Sequence, residues 1–250
     1  MAELTQSLSK YSVVLLSAGR GNRMGKIGKK IPKCLININN KTIISKLIEI
    51  LKLKGLKEVN IILGYKYRTI LKELKKIKNI KVNYIVIKDY INTGSVYSLY
   101  NFKKLWIKKK PVIMFHTDII FDPKFLENIL LSKKKNLIGV KKTKITKLKQ
   151  NKFVVKTSKS MKVLKIDKYK NCKPAYGEVL CINKFSAGCF KKFISFLKIY
   201  FKKETNNITW EYPLSDFVNK NDFYVLRNQS FKWANINTMQ DLNQARKDFI

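Results

Sequence analysis

The chain has 250 residues, which is enough for one large domain with a substantial hydrophobic core. Its hydrophobic fraction of 45% excludes the intrinsically disordered class. The formal net charge of +37 suggests a nucleic-acid partner, but lysine supplies nearly all of it and is spread along the whole chain. Proteins that read bases and phosphates favour the planar fork of arginine, so we predict no nucleic-acid partner.

Apolar stretches such as Val13–Leu16 are far shorter than the roughly 20 residues that cross a bilayer, so no membrane span is predicted. The first residues lack a basic segment followed by a long apolar run, so no signal peptide is expected. The cysteines form no CxxC pair and His116 is the single histidine, which argues against a zinc site. We therefore expect a cytoplasmic protein with reduced thiols at Cys34, Cys172, Cys181 and Cys189.

The first half of the chain alternates between strand and helix patterns. Continuous apolar or alternating runs predict strands over Ser12–Ser17, Leu35–Ile38, Val59–Leu63, Lys81–Ile87 and Val112–Phe115. Apolar residues at helical spacing predict helices over Thr42–Lys54, Tyr67–Lys78, Gly94–Leu105 and Pro123–Leu131. Gly55 is expected to end the first helix and Asp122 to cap the last one. This alternation indicates an α/β fold with a doubly wound, mostly parallel, Rossmann-like sheet.

From Leu137 onward the pattern changes to shorter strands. We predict them over Leu137–Val140, Phe153–Val155, Val163–Ile166 and Val179–Ile182, with helices over Ser186–Tyr200 and Pro213–Asn219. We interpret this part as a small mixed α+β insertion within a single domain. The expected division is a core over approximately residues 1–136, the insertion over 137–230 and a closing segment over 231–250.

A glycine-rich turn directly follows the first predicted strand. Such a turn lets backbone N–H groups approach and cradle phosphate oxygens. The basic residues Arg23 and Lys33 can then neutralise triphosphate charge. The segment matches neither the Walker pattern nor the GxGxxG dinucleotide pattern. The predicted phosphate and nucleotide contacts of this turn are Ser17, Ala18, Gly19, Arg20, Gly21 and Asn22.

The letters LSAGRGNRMG, followed by IPKCL, resemble the LAAGxGxRM and PKxL signature of the sugar-nucleotidyltransferase superfamily. The resemblance implies that Arg23 and Lys33 are catalytic. It also places Asp118, at the end of a predicted buried strand, at a position that binds Mg²⁺, an ion that prefers hard oxygen ligands. The segment Trp233–Leu242 resembles the closing motif of the same superfamily. There Asn237 would complete the metal site with a neutral amide oxygen in place of the carboxylate of many cytidylyltransferases, and Asp241 is expected to cap the last helix.

The segment Tyr90–Leu99 distinguishes between members of the superfamily. Sugar-phosphate nucleotidyltransferases commonly have a GTA-type segment here, whereas this chain is similar to choline-phosphate and aminoalkylphosphonate cytidylyltransferases. That resemblance implies CTP as the nucleotide. It also implies nucleotide contacts from Asn92, Ser95 and Ser98.

Aromatic residues stand beside carboxylates in two later segments. A cationic head group favours such surroundings, through cation–π attraction and a counter-charge. The same regions face the acceptor in proteins that resemble choline-phosphate cytidylyltransferase. An alternative interpretation is that these aromatic residues belong to the core or its rim. The predicted acceptor contacts are Tyr176, Glu178, Trp210, Glu211 and Tyr212.

The expected function is therefore Mg²⁺-dependent transfer of CMP from CTP to a small phosphate or phosphonate, such as phosphocholine or 2-aminoethylphosphonate, with release of pyrophosphate. An anionic acceptor needs no general base at neutral pH. One alternative is a sugar-1-phosphate or molybdenum-cofactor nucleotidyltransferase. A more distant alternative is a non-catalytic, basic nucleic-acid-binding protein.

Overall fold

A computed structural model describes residues 7–107, 109–142, 152–202, 208–228 and 231–249. Its strands are β1 (Ser12–Ser17), β2 (Asn37–Ile38), β3 (Lys41–Thr42), β4 (Glu58–Leu63), β5 (Lys81–Val86), β6 (Val112–His116), β7 (Ile119–Phe121), β8 (Leu137–Lys141), β9 (Phe153–Thr157), β10 (Val163–Lys168), β11 (Gly177–Phe185), β12 (Tyr224–Asn228) and β13 (Trp233–Asn235). Its α-helices are α1 (Gly25–Lys30), α2 (Ile43–Leu53), α3 (Tyr67–Leu74), α4 (Ser95–Asn101), α5 (Pro123–Leu131), α6 (Ala187–Leu197), α7 (Glu211–Val218) and α8 (Met239–Asp248).

Within the described residues, nine strands form one sheet. Its main path runs β10-β9-β11-β6-β1-β4-β5, and β8 pairs with both β11 and β12 beside that path. The neighbours β6, β1, β4 and β5 are parallel, whereas β11 is antiparallel to β6, β8 and β9. The predicted α/β fold with a mostly parallel Rossmann-like sheet is confirmed. The strands predicted after Leu137 join this sheet through β11, and the domain boundaries stay a prediction.

Successive side chains of β1 point to opposite faces of the sheet and enter two different cores. Val14 and Leu16 pack with α4, α6 and α7, whereas Val13 and Leu15 pack with α2, α3 and α5. A strand that is buried on both faces needs apolar residues at every position, which explains the continuous apolar run in the sequence. Among the described residues, no helix combines the length and apolarity required to span a membrane.

Helix α5 has the predicted bounds and is capped at both ends. Asp122 accepts a hydrogen bond from the backbone N–H of Lys124 at 2.9 Å, and Pro123 occupies the first helical position. At the other end the buried Lys184 ammonium donates to the carbonyl oxygens of Ile129 and Ser132, each at 2.9 Å. These bonds satisfy carbonyl groups that have no partner within a helix.

Several predicted elements end earlier than their periodicity indicates. Helix α3 stops at Leu74 instead of Lys78, because the chain tightens into i to i−3 bonds at Lys76 and Ile77. Similarly, α4 stops at Asn101 and continues as a 3-10 helix. The predicted strand Leu35–Ile38 is shorter, because a 3-10 helix covers Lys33–Leu35 before β2. The sequence pattern did not predict α1, β3, β7, β12 or β13.

Candidate active site

Three parallel strands end at the same edge of the sheet and open a common site. Leu16 of β1 lies beside His116 of β6, and Ser17 lies beside Leu63 of β4. The loops that follow these strands surround a cavity of about 420 Å³. In open α/β sheets, ligands bind outside the carboxyl ends of the strands. The cavity is lined by residues 16–23, 32–34, 90–91, 93–95, 98, 116–118 and 209.

The glycine-rich turn forms one wall of this cavity, and all its predicted contact residues from Ser17 to Asn22 line it. Gly21 has a φ of 68°, and a Cβ atom there would lie 2.6 Å from Cγ of Lys33. Glycine is therefore needed both for the left-handed backbone and for the passage of the lysine stem. Beneath the turn, burial raises the pKa of the Cys34 thiol to about 12, so Cys34 acts in packing and not as a nucleophile.

The basic residues of the motif meet two oxygen donors at the mouth of the turn. The Lys33 ammonium lies 3.1 Å from Oδ2 of Asp118 and donates to Oδ1 of Asn237 at 2.8 Å. Arg23 donates to the same Asn237 oxygen at 2.6 Å. Residues that are far apart in the sequence thus form one cluster. Two oxygen atoms of this cluster converge on a single cationic atom.

The closing segment is fixed against β7 and the loop between β6 and β7. Strand β13 pairs with β7, and Ile236 donates its backbone N–H to the carbonyl of Asp118 at 2.8 Å. Asp241 accepts from the backbone N–H groups of Asn237 and Thr238 at 2.9 and 2.8 Å. This forms a capping box at the start of α8 and confirms the predicted role of Asp241. The backbone of Asn237 is therefore held facing Asp118.

The cluster fits a divalent cation. Oδ1 of Asp118 is buried and has no hydrogen-bond partner among the described residues, and a buried carboxylate oxygen of this kind is costly unless something completes its contacts. An aspartate and an amide oxygen are hard donors of the kind that Mg²⁺ accepts. Asp118 and Asn237 are the residues that would hold such an ion.

The segment Tyr90–Leu99 forms the opposite wall, with a difference from the prediction. Ser95 and Ser98 line the cavity, and Ser95 also accepts from the backbone N–H of Trp210 at 3.0 Å. Asn92 lies outside the cavity lining, because its side chain is exposed and donates to Asp89 at 2.7 Å. Its neighbours Ile91 and Thr93 line the cavity in its place.

The match to known families agrees with this geometry. The model of the nucleotidyl transferase family matches residues 12–248. The chain belongs to this family.

Individual relatives of this nucleotidyl transferase differ in substrate. D-glycero-alpha-D-manno-heptose 1-phosphate guanylyltransferase of Campylobacter jejuni is 32% identical over 110 residues, 44% of this chain and 48% of that protein. CTP:phosphoglutamine cytidylyltransferase of the same organism is 27% identical over 136 residues, 53% of each chain. The chain thus spans about half the length of these relatives. Among solved structures, CTP:phosphocholine cytidylyltransferase from Streptococcus pneumoniae has a TM-score of 0.79 at 20% identity, covering 96% of this chain and 99% of that one, which shows a shared fold.

The predicted acceptor residues of this nucleotidyl transferase have different surroundings. Trp210 is 0% exposed, so its ring presents no face to solvent, and its contact with an acceptor stays a prediction. Tyr212 packs edge-on against Phe153, and Glu178 forms a salt bridge with Lys152 at 2.6 Å. Tyr176 packs against the hydrophobic core that includes Val14 and Leu16 of β1. None of these side chains lies in the lining of the cavity described above.

Glu211 differs from these residues because one of its carboxylate oxygens, Oε2, is buried and has no hydrogen-bond partner within the described residues. It lies near the buried thiol of Cys181. Burial and the negative charges of Asp118, Glu211 and Glu178 together raise the pKa of that thiol, while Lys152 lowers it. The negative charges of all three carboxylates thus act on this one thiol.

His116 is a site residue whose function the sequence analysis left open. It lines the cavity, and its Nε2 accepts a hydrogen bond from the indole N–H of Trp210 at 2.7 Å. The buried tryptophan thus holds the histidine ring in place. Position at the end of a parallel strand was the available signal, since His116 directly precedes Thr117 and Asp118.

Proposed function

We propose that this protein is a Mg²⁺-dependent cytidylyltransferase that transfers CMP from CTP to a small phosphate or phosphonate with release of pyrophosphate. The observation that carries the proposal is the convergence of Lys33, Arg23, Asp118 and Asn237 at the mouth of the glycine-rich turn. This arrangement offers backbone donors and two cations for a triphosphate, beside two hard oxygen donors for a metal ion.

In the proposed reaction, an acceptor oxygen attacks the α-phosphorus of the nucleotide in line. A P–O bond to the acceptor forms, and the bond between the α-phosphorus and its bridging oxygen breaks with its electron pair leaving on pyrophosphate. The acceptor is already anionic, so no protein base is needed. Arg23 and Lys33 stabilise the charge on the phosphates, and the glycine-rich turn orients them. A bound Mg²⁺ ion, held by Asp118 and Asn237, would supply further charge neutralisation.

Two further parts of the proposal concern the substrates. CTP is supported by the similarity of Tyr90–Leu99 to cytidylyltransferases and by a relative that is named as CTP-dependent. A cationic group on the acceptor is supported by the buried carboxylate oxygen of Glu211, which has no hydrogen-bond partner among the described residues. A cytoplasmic setting suits the reaction, because it supplies nucleoside triphosphates and keeps the four free thiols reduced.

The test is a pyrophosphate-release screen of the common ribonucleoside triphosphates against a panel of acceptors. Phosphocholine and 2-aminoethylphosphonate represent cationic acceptors, and methylphosphonate and sugar 1-phosphates represent acceptors without a cation. We expect CTP with a cationic acceptor to give the highest kcat/KM. Preference for GTP and a sugar 1-phosphate would contradict the proposal and would favour a sugar nucleotidyltransferase, as the guanylyltransferase relative illustrates.

Asp118→Asn provides the control for this screen. It removes the negative charge of the proposed metal ligand and keeps its shape, so turnover should fall by at least about 100-fold, while the protein stays folded. Turnover that survives this change would place the metal elsewhere.

A further inference from the structure

Asn235 connects the candidate metal ligand Asn237 to the buried thiol of Cys181. Asn237 donates from its side-chain Nδ2 to Oδ1 of Asn235 at 2.8 Å. Asn235 in turn donates from its own Nδ2 toward Sγ of Cys181 at 3.6 Å. The other end of the Asn237 amide is the oxygen that accepts from Arg23 and Lys33. A short chain of side-chain contacts therefore runs from the thiol to the cluster.

The two ends of the Asn237 amide differ chemically, whereas the two oxygens of a carboxylate at this position would be equivalent. A carboxylate offers an oxygen whichever way it turns, whereas an amide offers one oxygen and one NH₂ group. If the Asn237 amide were flipped, its NH₂ group would face Arg23 and Lys33, which are donors without acceptor capacity. The oxygen of Asn237 is therefore useful to the site in one of the two orientations.

The backbone contacts of Asn237 do not select that orientation. The bond from its N–H to Asp241 fixes the main chain and does not distinguish between the two orientations of the side-chain amide. Among the described residues, Asn235 is the group that accepts from Nδ2 of Asn237. Asn235 is itself held, because β13 pairs with β7 and because the sulfur of Cys181 is a weak acceptor for its amide.

We propose that Asn235 is a positioning residue that selects the amide orientation of Asn237 and so directs its oxygen at the metal and phosphate site. The proposal rests on the proposed function, in which the Asn237 oxygen contacts the metal and phosphate groups. Asn235 matters because residue 237 is an asparagine, so the requirement for Asn235 should disappear once residue 237 is an aspartate.

The test uses Asn235→Leu, which keeps the shape without polar atoms, and Asn235→Asp, which keeps an oxygen for Nδ2 of Asn237. Each is made alone and together with Asn237→Asp.

Binding of Mn²⁺ alone is measured from the free-ion EPR signal, so no turnover is needed. Loss of a residue that orients a metal ligand weakens metal binding by roughly 10–100-fold. We expect that loss for Asn235→Leu, no loss for Asn235→Asp, and a small or absent loss for Asn235→Leu in the Asn237→Asp background. Asn243→Leu, at an exposed position of α8, should change nothing.

Equal losses caused by Asn235→Leu in both backgrounds would overturn the proposal, because a direct or purely structural role does not depend on the symmetry of residue 237. A second measurement separates failure of the proposed metal site from failure of this inference. In metal-free protein, the hydrogen-bonded Nδ2 proton of Asn237 should exchange slowly by NMR, quickly in Asn235→Leu and slowly again in Asn235→Asp. Rapid exchange in the wild-type protein would overturn the inference even if Asp118→Asn abolishes Mn²⁺ binding. Slow exchange with unchanged Mn²⁺ binding in Asp118→Asn would overturn the metal site alone.

Discussion

Lys33 connects three sequence motifs. It lies beside the glycine-rich turn and contacts both Asp118 and Asn237. Lys33→Met removes the cation and keeps the length of the side chain. We expect kcat to fall by about 100-fold or more, the cost of losing one pre-organised group that stabilises transition-state charge. Arg23→Met should have a smaller effect on kcat, because Arg23 contacts Asn237 without contacting Asp118.

The matched control is Lys30→Met, at an exposed lysine in the same segment of the chain. Steady-state kinetics and a thermal melt of each variant give the comparison. A small loss of kcat in Lys33→Met, similar to that of Lys30→Met, would show that Lys33 forms a structural ion pair and has no part in the reaction. A large loss of kcat accompanied by unfolding would assign the effect to the fold instead.

Helix α5 illustrates how one buried cation links an element to pH. Loss of solvent around Lys184 lowers the pKa of its ammonium from 10.5 to about 8. The unfolded chain therefore binds more protons than the folded one between these two values, so the free energy of unfolding rises with pH across that window. Below pH 8, the folded protein carries the full cost of the buried charge.

We therefore expect wild-type protein to gain stability relative to Lys184→Met as the pH is raised from about 8 to 10, by at most about 3 kcal/mol. Urea unfolding of both proteins across this range measures the difference, which cancels the titration of groups that they share. Lys191→Met, at an exposed position of α6, should follow the wild-type curve. Parallel curves for wild type and Lys184→Met would contradict the proposed burial cost.

The elements that were predicted well have signals that are complete within a short stretch of sequence. Strand β1 is buried at every position and its central residues Val13–Leu16 are all apolar, because both of its faces are covered. Helix α5 has its cap and proline at adjacent positions. Strands β7 and β13 have three residues each, which is too short for a two-residue period to be distinguished from a loop. Their pairing depends on contacts between distant parts of the chain.

The candidate site shows the same division. Arg23, Lys33, Asp118 and Asn237 belong to motifs, and the structure brings all of them together. The acceptor residues belong to no such motif. They were predicted from the proximity of aromatic and acidic residues in the sequence, in regions that face the acceptor in similar proteins. That proximity does not determine which face a side chain occupies, so it could not show that Trp210 is fully buried. The hydrogen bond by which Trp210 holds His116 is a tertiary contact between the residue that precedes α7 and the end of β6.

At the scale of the whole molecule, the charge of the chain is strongly positive. Lysine and arginine number 53 against 16 aspartate and glutamate residues, which gives a formal net charge of +37. Mutual repulsion of the positive charges opposes the compact state, and the same field attracts anionic nucleotides. The same lysines therefore lower the stability of the fold and strengthen nucleotide binding.

Salt should therefore stabilise the fold and weaken nucleotide binding in the same protein. Raising KCl from about 20 mM to about 300 mM shortens the Debye length from roughly 20 Å to 6 Å, which screens repulsion among exposed lysines. We expect Tm to rise by several degrees and the KM for CTP to increase several-fold, with kcat nearly unchanged because the partly buried cluster around Lys33 is screened less.

Melts and initial rates over one salt series provide both measurements, with duplex DNA binding followed alongside. Weak DNA binding that disappears over this range fits non-specific attraction. Tight DNA binding that persists at the higher salt, with no pyrophosphate release at any salt, would mean that the lysines serve a nucleic-acid partner and that the proposed reaction is wrong.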